Sequence, residues 1–210
     1  MTRILILVGA LLVFTAVRKM LPFLVARAFG RAIGSHAMAR QPDEIHLEKC
    51  GPSSWTNPAA VHPLISPLLQ RGFHDAGIFQ VKELPGLRLQ LVVKSAESMM
   101  GAVYEHPKTG HWVEVACRYG DGGSFTYSSS RPSGLAPRPG HTVINAPELG
   151  AAGLYDRARA ERPNRPLESV STFNVARMFE QAWAESIAYR KQTGISAREV
   201  ANVASMRKTA

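Results

Sequence analysis

The N-terminal segment constrains the architecture of this chain more than any other stretch does. Residues 4–17 form a 14-residue run without a charged side chain, and Arg18 and Lys19 then interrupt it. A helix of that length covers about 21 Å, which is less than the roughly 30 Å hydrocarbon core of a bilayer. The run therefore fits three structures: a short membrane span, the apolar part of a signal peptide, and a buried helix of a soluble domain.

The residues after this run favour a membrane anchor. Apolar character resumes at residues 20–26, so a longer helix can span the bilayer if the two basic side chains extend to the headgroups. Beyond it, apolar residues recur at helical spacing with arginines outside their stripe, as in a helix lying in the membrane interface. The residues predicted to contact the membrane are Arg18, Lys19, Leu21, Leu24, Val25, Arg27, Phe29 and Arg31.

The distribution of charge points to lipid and argues against nucleic acid. The formal net charge is +9, but residues 1–40 hold six Lys and Arg and no Asp or Glu. The other 19 basic residues stand against 16 acidic ones, so the body of the protein is nearly balanced. Most Lys and Arg near the apolar run follow it, and the positive-inside rule then predicts a single-pass protein of a bacterial-type cell membrane with its main domain in the cytoplasm. An exported domain after signal-peptide cleavage is the alternative.

Three parts are predicted: a membrane anchor at residues 1–34, a linker at 35–57 and an α+β domain at 58–210. Alternating apolar and polar residues with two hairpin turns predict an antiparallel meander of about five strands between residues 79 and 129. C-terminal helices, one with an apolar stripe from Phe173 to Ile187, are expected to cover the sheet. Residues 131–147 are rich in Pro, Gly and Arg and are predicted to form a loop without regular structure.

Local signals predict two helix starts. Asn57 precedes Pro58, and an amide side chain followed by proline is typical of a capped first turn. Ser196 and Glu199 have the spacing of a capping box, which predicts the start of the last helix.

A candidate site lies around the first predicted hairpin, where polar and aromatic side chains are densest. Its residues are Tyr104, Glu105, His106, His111, Trp112 and Glu114. If the loop is residues 107–110, His106 and His111 oppose each other at about 5 Å and can share a metal. If Gly110 closes a three-residue bulged loop instead, the two histidines separate. Two histidines without a third ligand do not define a metal site, and an exposed hairpin tip accounts for them without one.

Motifs of known chemistry do not occur in the chain. There is no P-loop, dinucleotide-binding glycine fingerprint, zinc-protease motif or nucleophile elbow, so no catalytic residue, cofactor or metal ligand is assigned. Cys50 and Cys117 are too few for a disulfide scaffold and are interpreted as ordinary thiols. The sequence therefore predicts a membrane-anchored, non-catalytic binding or accessory domain with a protein partner. The alternative is a membrane-attached enzyme or metal-binding protein with its site near the His106 and His111 hairpin.

Overall fold

A computed structural model describes residues 32, 34–36 and 38–206, without the side chains of residues 204 and 205. The predicted anchor at residues 1–34 lies almost wholly outside the described residues, as do all of the predicted membrane-contacting side chains. Within the part that is described, no helix has the length and apolar character needed to cross a membrane. The chain divides into a larger unit, Pro42–Pro132 with Pro137–Ala188, and a smaller unit whose described residues precede Pro42, form Ser133–Ala136 and follow Ala188.

The larger unit contains one mixed sheet of seven strands, which makes the fold α+β. The strands are β1 (Leu47–Cys50), β2 (His74–Val81), β3 (Arg88–Lys94), β4 (Met99–His106), β5 (Gly110–Arg118), β6 (Ser124–Ser128) and β7 (His141–Asn145). They lie side by side in chain order, and every neighbouring pair is antiparallel except β6 and β7, which are parallel. The predicted antiparallel meander is confirmed for β2–β6, and the sheet extends beyond it at both edges.

The two additional strands lie in stretches that the sequence predicts to be irregular. β1 falls within the predicted linker at 35–57, and β7 falls within the predicted loop at 131–147. The loop prediction is wrong at residues 141–145, because Thr142, Val143 and Ile144 suit a strand and pair in parallel with β6. A parallel partner needs a long connection, here residues 129–140, so no tight turn marks the strand in the sequence.

Four α-helices lie between residues 58 and 206, and capping side chains satisfy free backbone N–H groups at the start of the first and the last of them. They are α1 (Pro58–Gln70), α2 (Ala151–Glu161), α3 (Val175–Thr193) and α4 (Ala197–Met206). The predicted cap of α1 is confirmed, since the Asn57 side chain accepts a hydrogen bond from the Ala60 N–H at 3.2 Å. The capping box of α4 is confirmed as well: the Glu199 N–H donates to Ser196 Oγ at 3.2 Å, and the Ser196 N–H donates to Glu199 Oε2 at 2.9 Å.

Helices cover both faces of the sheet in the larger unit. On one face α1 and α2 enclose a core that includes Leu68, Val103, Val113, Val115 and Leu154. On the other face α3 covers a core that includes Leu89, Leu91, Val93, Tyr104 and Met178, with Phe179 and Trp183 packed against it. Phe173 does not join this stripe: the helix begins only at Val175, and the Phe173 side chain is 98% exposed.

Candidate functional site

The hairpin between β4 and β5 separates the two histidines of the predicted site. Its register pairs Glu105 with His111 and His106 with Gly110, so the loop has three residues and Gly110 takes a positive φ of 79°. Because side chains alternate between faces along a strand, His106 and His111 point to opposite sides of the ribbon. The His106 ring stays at the turn, where Nδ1 accepts the N–H groups of Lys108 and Thr109 at 3.2 and 3.3 Å.

Glu105 and His111 face α1 and fix the start of that helix. Glu105 is 4% exposed and accepts the N–H groups of Thr56 and Asn57, each at 2.8 Å, while His111 Nε2 donates to it at 3.1 Å. Burial acts to raise the pKa of Glu105, but these donors outweigh it and hold that pKa below its usual value. The arrangement ties β4 to the residues before α1, which is a structural role.

Tyr104, Trp112 and Glu114 face α3, on the opposite side of the sheet. The Tyr104 and Trp112 rings are stacked, with centroids 4.6 Å apart, and the Tyr104 hydroxyl donates to Glu114 Oε2 at 3.1 Å. Burial, with the charge of Glu114 adding to it, raises the pKa of Tyr104 well above its usual value, so the hydroxyl keeps its proton as a donor. The six predicted residues therefore do not form one site. The structure brings together three of them here and two of them on the other face.

Glu114 ends a chain of hydroxyl and amide groups. Ser128 Oγ donates to Glu114 Oε1 at 3.0 Å and lies 2.8 Å from Ser130 Oγ, and Asn145 Nδ2 donates to Ser130 Oγ at 3.2 Å. Burial raises the pKa of Glu114, because the bonded donors are neutral and only partly offset the loss of hydration. Hydroxyl groups can reverse their bonds, so this chain can follow a change in the protonation of Glu114.

The residues of β5, β6 and β7 that share this face form what we name the β5–β7 floor. The strand register sets them in three rows. The rows are Glu114, Ser128 and Asn145; Ala116, Thr126 and Val143; and Arg118, Ser124 and His141. Adjacent rows lie two residues apart along a strand, so the two outer, polar rows are about 13 Å apart. The middle row is buried at β5, where Ala116 is 9% exposed. It reaches solvent at β7, where Val143 is 49% exposed.

The outer row that contains Arg118, Ser124 and His141 owes its positive charge to Arg118. Its side chain is 7% exposed, and Nη1 is buried without a hydrogen-bond partner in the part of the chain that the structure describes. A buried donor left unpaired costs about 1–3 kcal/mol. In the same row, Ser124 Oγ and His141 Nδ1 are hydrogen-bonded at 2.7 Å. Burial lowers the pKa of His141, and the charges of Arg138 and Arg118 lower it further, so its imidazole is neutral at pH 7.

No group of three or more His, Cys, Asp or Glu within the described ranges is placed to hold a metal ion. Cys50 and Cys117 are both free thiols, and burial raises the pKa of Cys117, which makes it a poor nucleophile.

The floor was not predicted as a site, because its residues come from three strands that are distant in sequence. Part of the floor can be found from the hairpins, because the length of a hairpin loop fixes the register that places Glu114 beside Ser128. The third strand has no such signal, because β7 follows a long connection. No family model, curated protein or solved structure matches the chain, so the site is interpreted from its own geometry.

Proposed function

We propose that the chain is a membrane-attached binding domain, without a reaction of its own, that binds a protein partner on the β5–β7 floor. The observation that carries the proposal is Val143, which lies half exposed between two rows of polar side chains. Binding sites typically combine an apolar centre with a few fixed polar groups that orient the ligand. Glu114 lies in one outer row of the floor and Arg118 in the other, and their side chains differ in charge. A partner segment that lies across the rows therefore binds in only one of its two orientations.

Membrane attachment rests on the N-terminal sequence. A tether confines the domain to one surface and raises its effective concentration for partners on the same membrane. Protease added to spheroplasts tests the orientation: we expect the main domain to be protected, and digestion from outside contradicts the cytoplasmic location. N-terminal sequencing of the mature protein separates an anchored chain from an exported one, which would lack the apolar run.

Site-specific crosslinking in membranes tests the binding surface. A photoreactive amino acid replaces Val143 in the full chain, and Thr142 is the matched control because it is exposed on the same strand but faces the other side of the sheet. We expect an adduct of defined mass from position 143 that is lost when Thr126→Trp fills the centre of the floor. Equal adducts from both positions, or persistence of the adduct in the Thr126→Trp chain, contradict the proposal.

A membrane-attached enzyme is the second candidate, and Glu114 is the observation that favours it. A buried carboxyl with a raised pKa at the end of a hydroxyl chain is typical of groups that transfer protons. The related metal-binding alternative at the hairpin is tested by metal analysis of the purified chain. Metal that is bound in the wild type and lost in both His106→Ala and His111→Ala supports that alternative.

A further inference from the structure

Two arginines hold one glutamate carboxylate beside the floor. Arg118 Nη2 lies 3.4 and 3.5 Å from the two oxygens of Glu185, and Arg138 Nη2 lies 3.0 Å from Glu185 Oε2. The Gln181 side chain also donates to Glu185 Oε1 at 2.9 Å. Arg118 comes from β5, Arg138 from the connection before β7, and Glu185 from α3, so three separate segments meet at this carboxylate.

The carboxylate of Glu185 is a poor fit for Arg118. Charge-assisted bonds between nitrogen and carboxylate oxygen are usually about 2.7–2.9 Å long, and both contacts from Arg118 to Glu185 are longer. Arg118 Nη1 has no partner within the described residues, and Nε lies 3.2 Å from Glu168 Oε2 without hydrogen-bond alignment. The planar fork of this guanidinium is therefore buried without the two-oxygen partner that it is shaped to bind.

We infer that Arg118 and Arg138 form an oxyanion subsite of the β5–β7 floor, and that Glu185 occupies it when no ligand is bound. The inference rests on the proposed function and deepens it, because it assigns the bound partner a carboxylate or phosphate group. Glu185 is able to leave, since its side chain is 32% exposed on the surface of α3. An incoming oxyanion replaces the Glu185 carboxylate and bonds both terminal nitrogens of Arg118, so the site gains an acceptor for Nη1.

His141 is a built-in reporter of this subsite. Its ring faces the charges of Arg138, Arg118, Glu185 and Asp121, and Ser124 holds its Nδ1. Replacing the single charge of Glu185 by a bound phosphate makes the surroundings of His141 more negative. We therefore expect phosphate to raise the pKa of His141, which is measured from its imidazole Cε1–H resonance.

The test is an NMR titration of the full chain, in micelles of a zwitterionic detergent, with inorganic phosphate and with acetate. His141→Gln assigns the resonance. Glu185→Gln removes the competing charge, and we expect it to bind phosphate about tenfold more tightly than the wild type does. Arg138→Gln in the Glu185→Gln background should weaken that binding at least about fivefold. Arg131→Gln, an exposed arginine in the same connection, is the matched control and should leave it unchanged.

The source of the oxyanion is separated by a second arm. In lipid nanodiscs without added phosphate, a shift of His141 that needs phosphatidylglycerol and is absent with phosphatidylcholine identifies a lipid headgroup. A shift that needs added phosphate or acetate in both lipids identifies a soluble or peptide-borne group.

The inference is overturned if Glu185→Gln shows no response of His141 to either ion, or responds equally with Arg138→Gln added. The proposed binding function still stands after that result if the photoreactive residue at position 143 gives its adduct. Loss of the adduct together with a normal phosphate response contradicts the proposed function and keeps the oxyanion subsite.

Discussion

Glu105 and Glu114 lie on neighbouring strands of one hairpin, and their surroundings shift their pKa values in opposite directions. Burial by itself acts to raise the pKa of both carboxyls. For Glu105, backbone N–H groups and His111 reverse the effect, because they supply oriented donors at one end of a helix segment. For Glu114 the donors are neutral side chains, the hydroxyl groups of Tyr104 and Ser128 and the indole N–H of Trp112, and the rise remains. The number of hydrogen bonds is therefore a weaker guide than the kind of donor.

The kind of hydrogen-bond donor distinguishes a structural carboxylate from one that suits a binding site. A carboxylate whose donors are backbone groups of a fixed turn holds two elements together and has nothing left to offer a ligand. A carboxyl whose donors are side chains can exchange one of them for a ligand group, because a side chain can turn away without moving the backbone. This difference, more than burial, places the candidate site on the face of Glu114.

Glu105→Gln should give the largest effect on stability. The amide oxygen can accept only part of the donors that the carboxylate accepts, and a buried N–H is left unpaired or faces another donor. We expect the free energy of unfolding of the full chain, in mild detergent at pH 7.5, to fall by about 2–4 kcal/mol. Urea unfolding measures it.

The matched control is Glu148→Gln, an exposed glutamate whose replacement should change stability by less than about 0.5 kcal/mol. The pH dependence provides a second check. Because the folded pKa of Glu105 is lowered, its contribution is complete above the unfolded pKa of about 4.3 and is lost as pH falls through the folded value. The difference between wild type and Glu105→Gln should therefore shrink in acid, and a difference that stays constant down to pH 3 rules out this account.

Glu114→Gln should give a smaller effect with the opposite dependence on pH. The folded pKa of Glu114 is raised, so the folded state holds its proton more tightly and loses relative stability as pH rises from about 4.3 through the folded pKa. Gln carries no charge to lose. We expect the variant to equal the wild type near pH 4 and to be more stable by up to about 1 kcal/mol at pH 7.5. If Glu114→Gln instead lost as much stability at pH 7.5 as Glu105→Gln does, both carboxylates would have the same structural role.

Elements with local signals were predictable from the sequence, and elements with distant partners were not. The hairpins, the Asn57 cap and the capping box of Ser196 and Glu199 depend on residues a few positions apart, and all are present. β7 depends on β6 across residues 129–140, in a stretch whose prolines and glycines hide a short run of β-branched residues. Phe173 has the correct spacing for the stripe of α3, but the helix starts too late to include it.

The candidate site was predictable only in part for the same reason. Composition located Tyr104, Trp112 and Glu114, but it could not divide the six residues between two faces, because a hairpin register depends on the loop geometry of one residue, Gly110. Arg118 gave no signal, since one arginine at the end of a strand looks like an exposed charge until the fold buries it.

Replacing His106 or His111 should have the smallest effects on the free energy of unfolding. These variants also test directly whether the two side chains lie on opposite faces of the hairpin. His111 donates to Glu105, so His111→Ala should lower stability by about 1 kcal/mol and interact with Glu105→Gln in a double-mutant cycle by about 0.5–1 kcal/mol. His106 accepts two N–H groups of the turn and does not contact Glu105, so His106→Ala should cost about 0.5 kcal/mol and add independently to Glu105→Gln. Equal coupling of both histidines to Glu105 contradicts the register in which they point apart. A cycle with coupling only through His111 makes that histidine part of the support for α1.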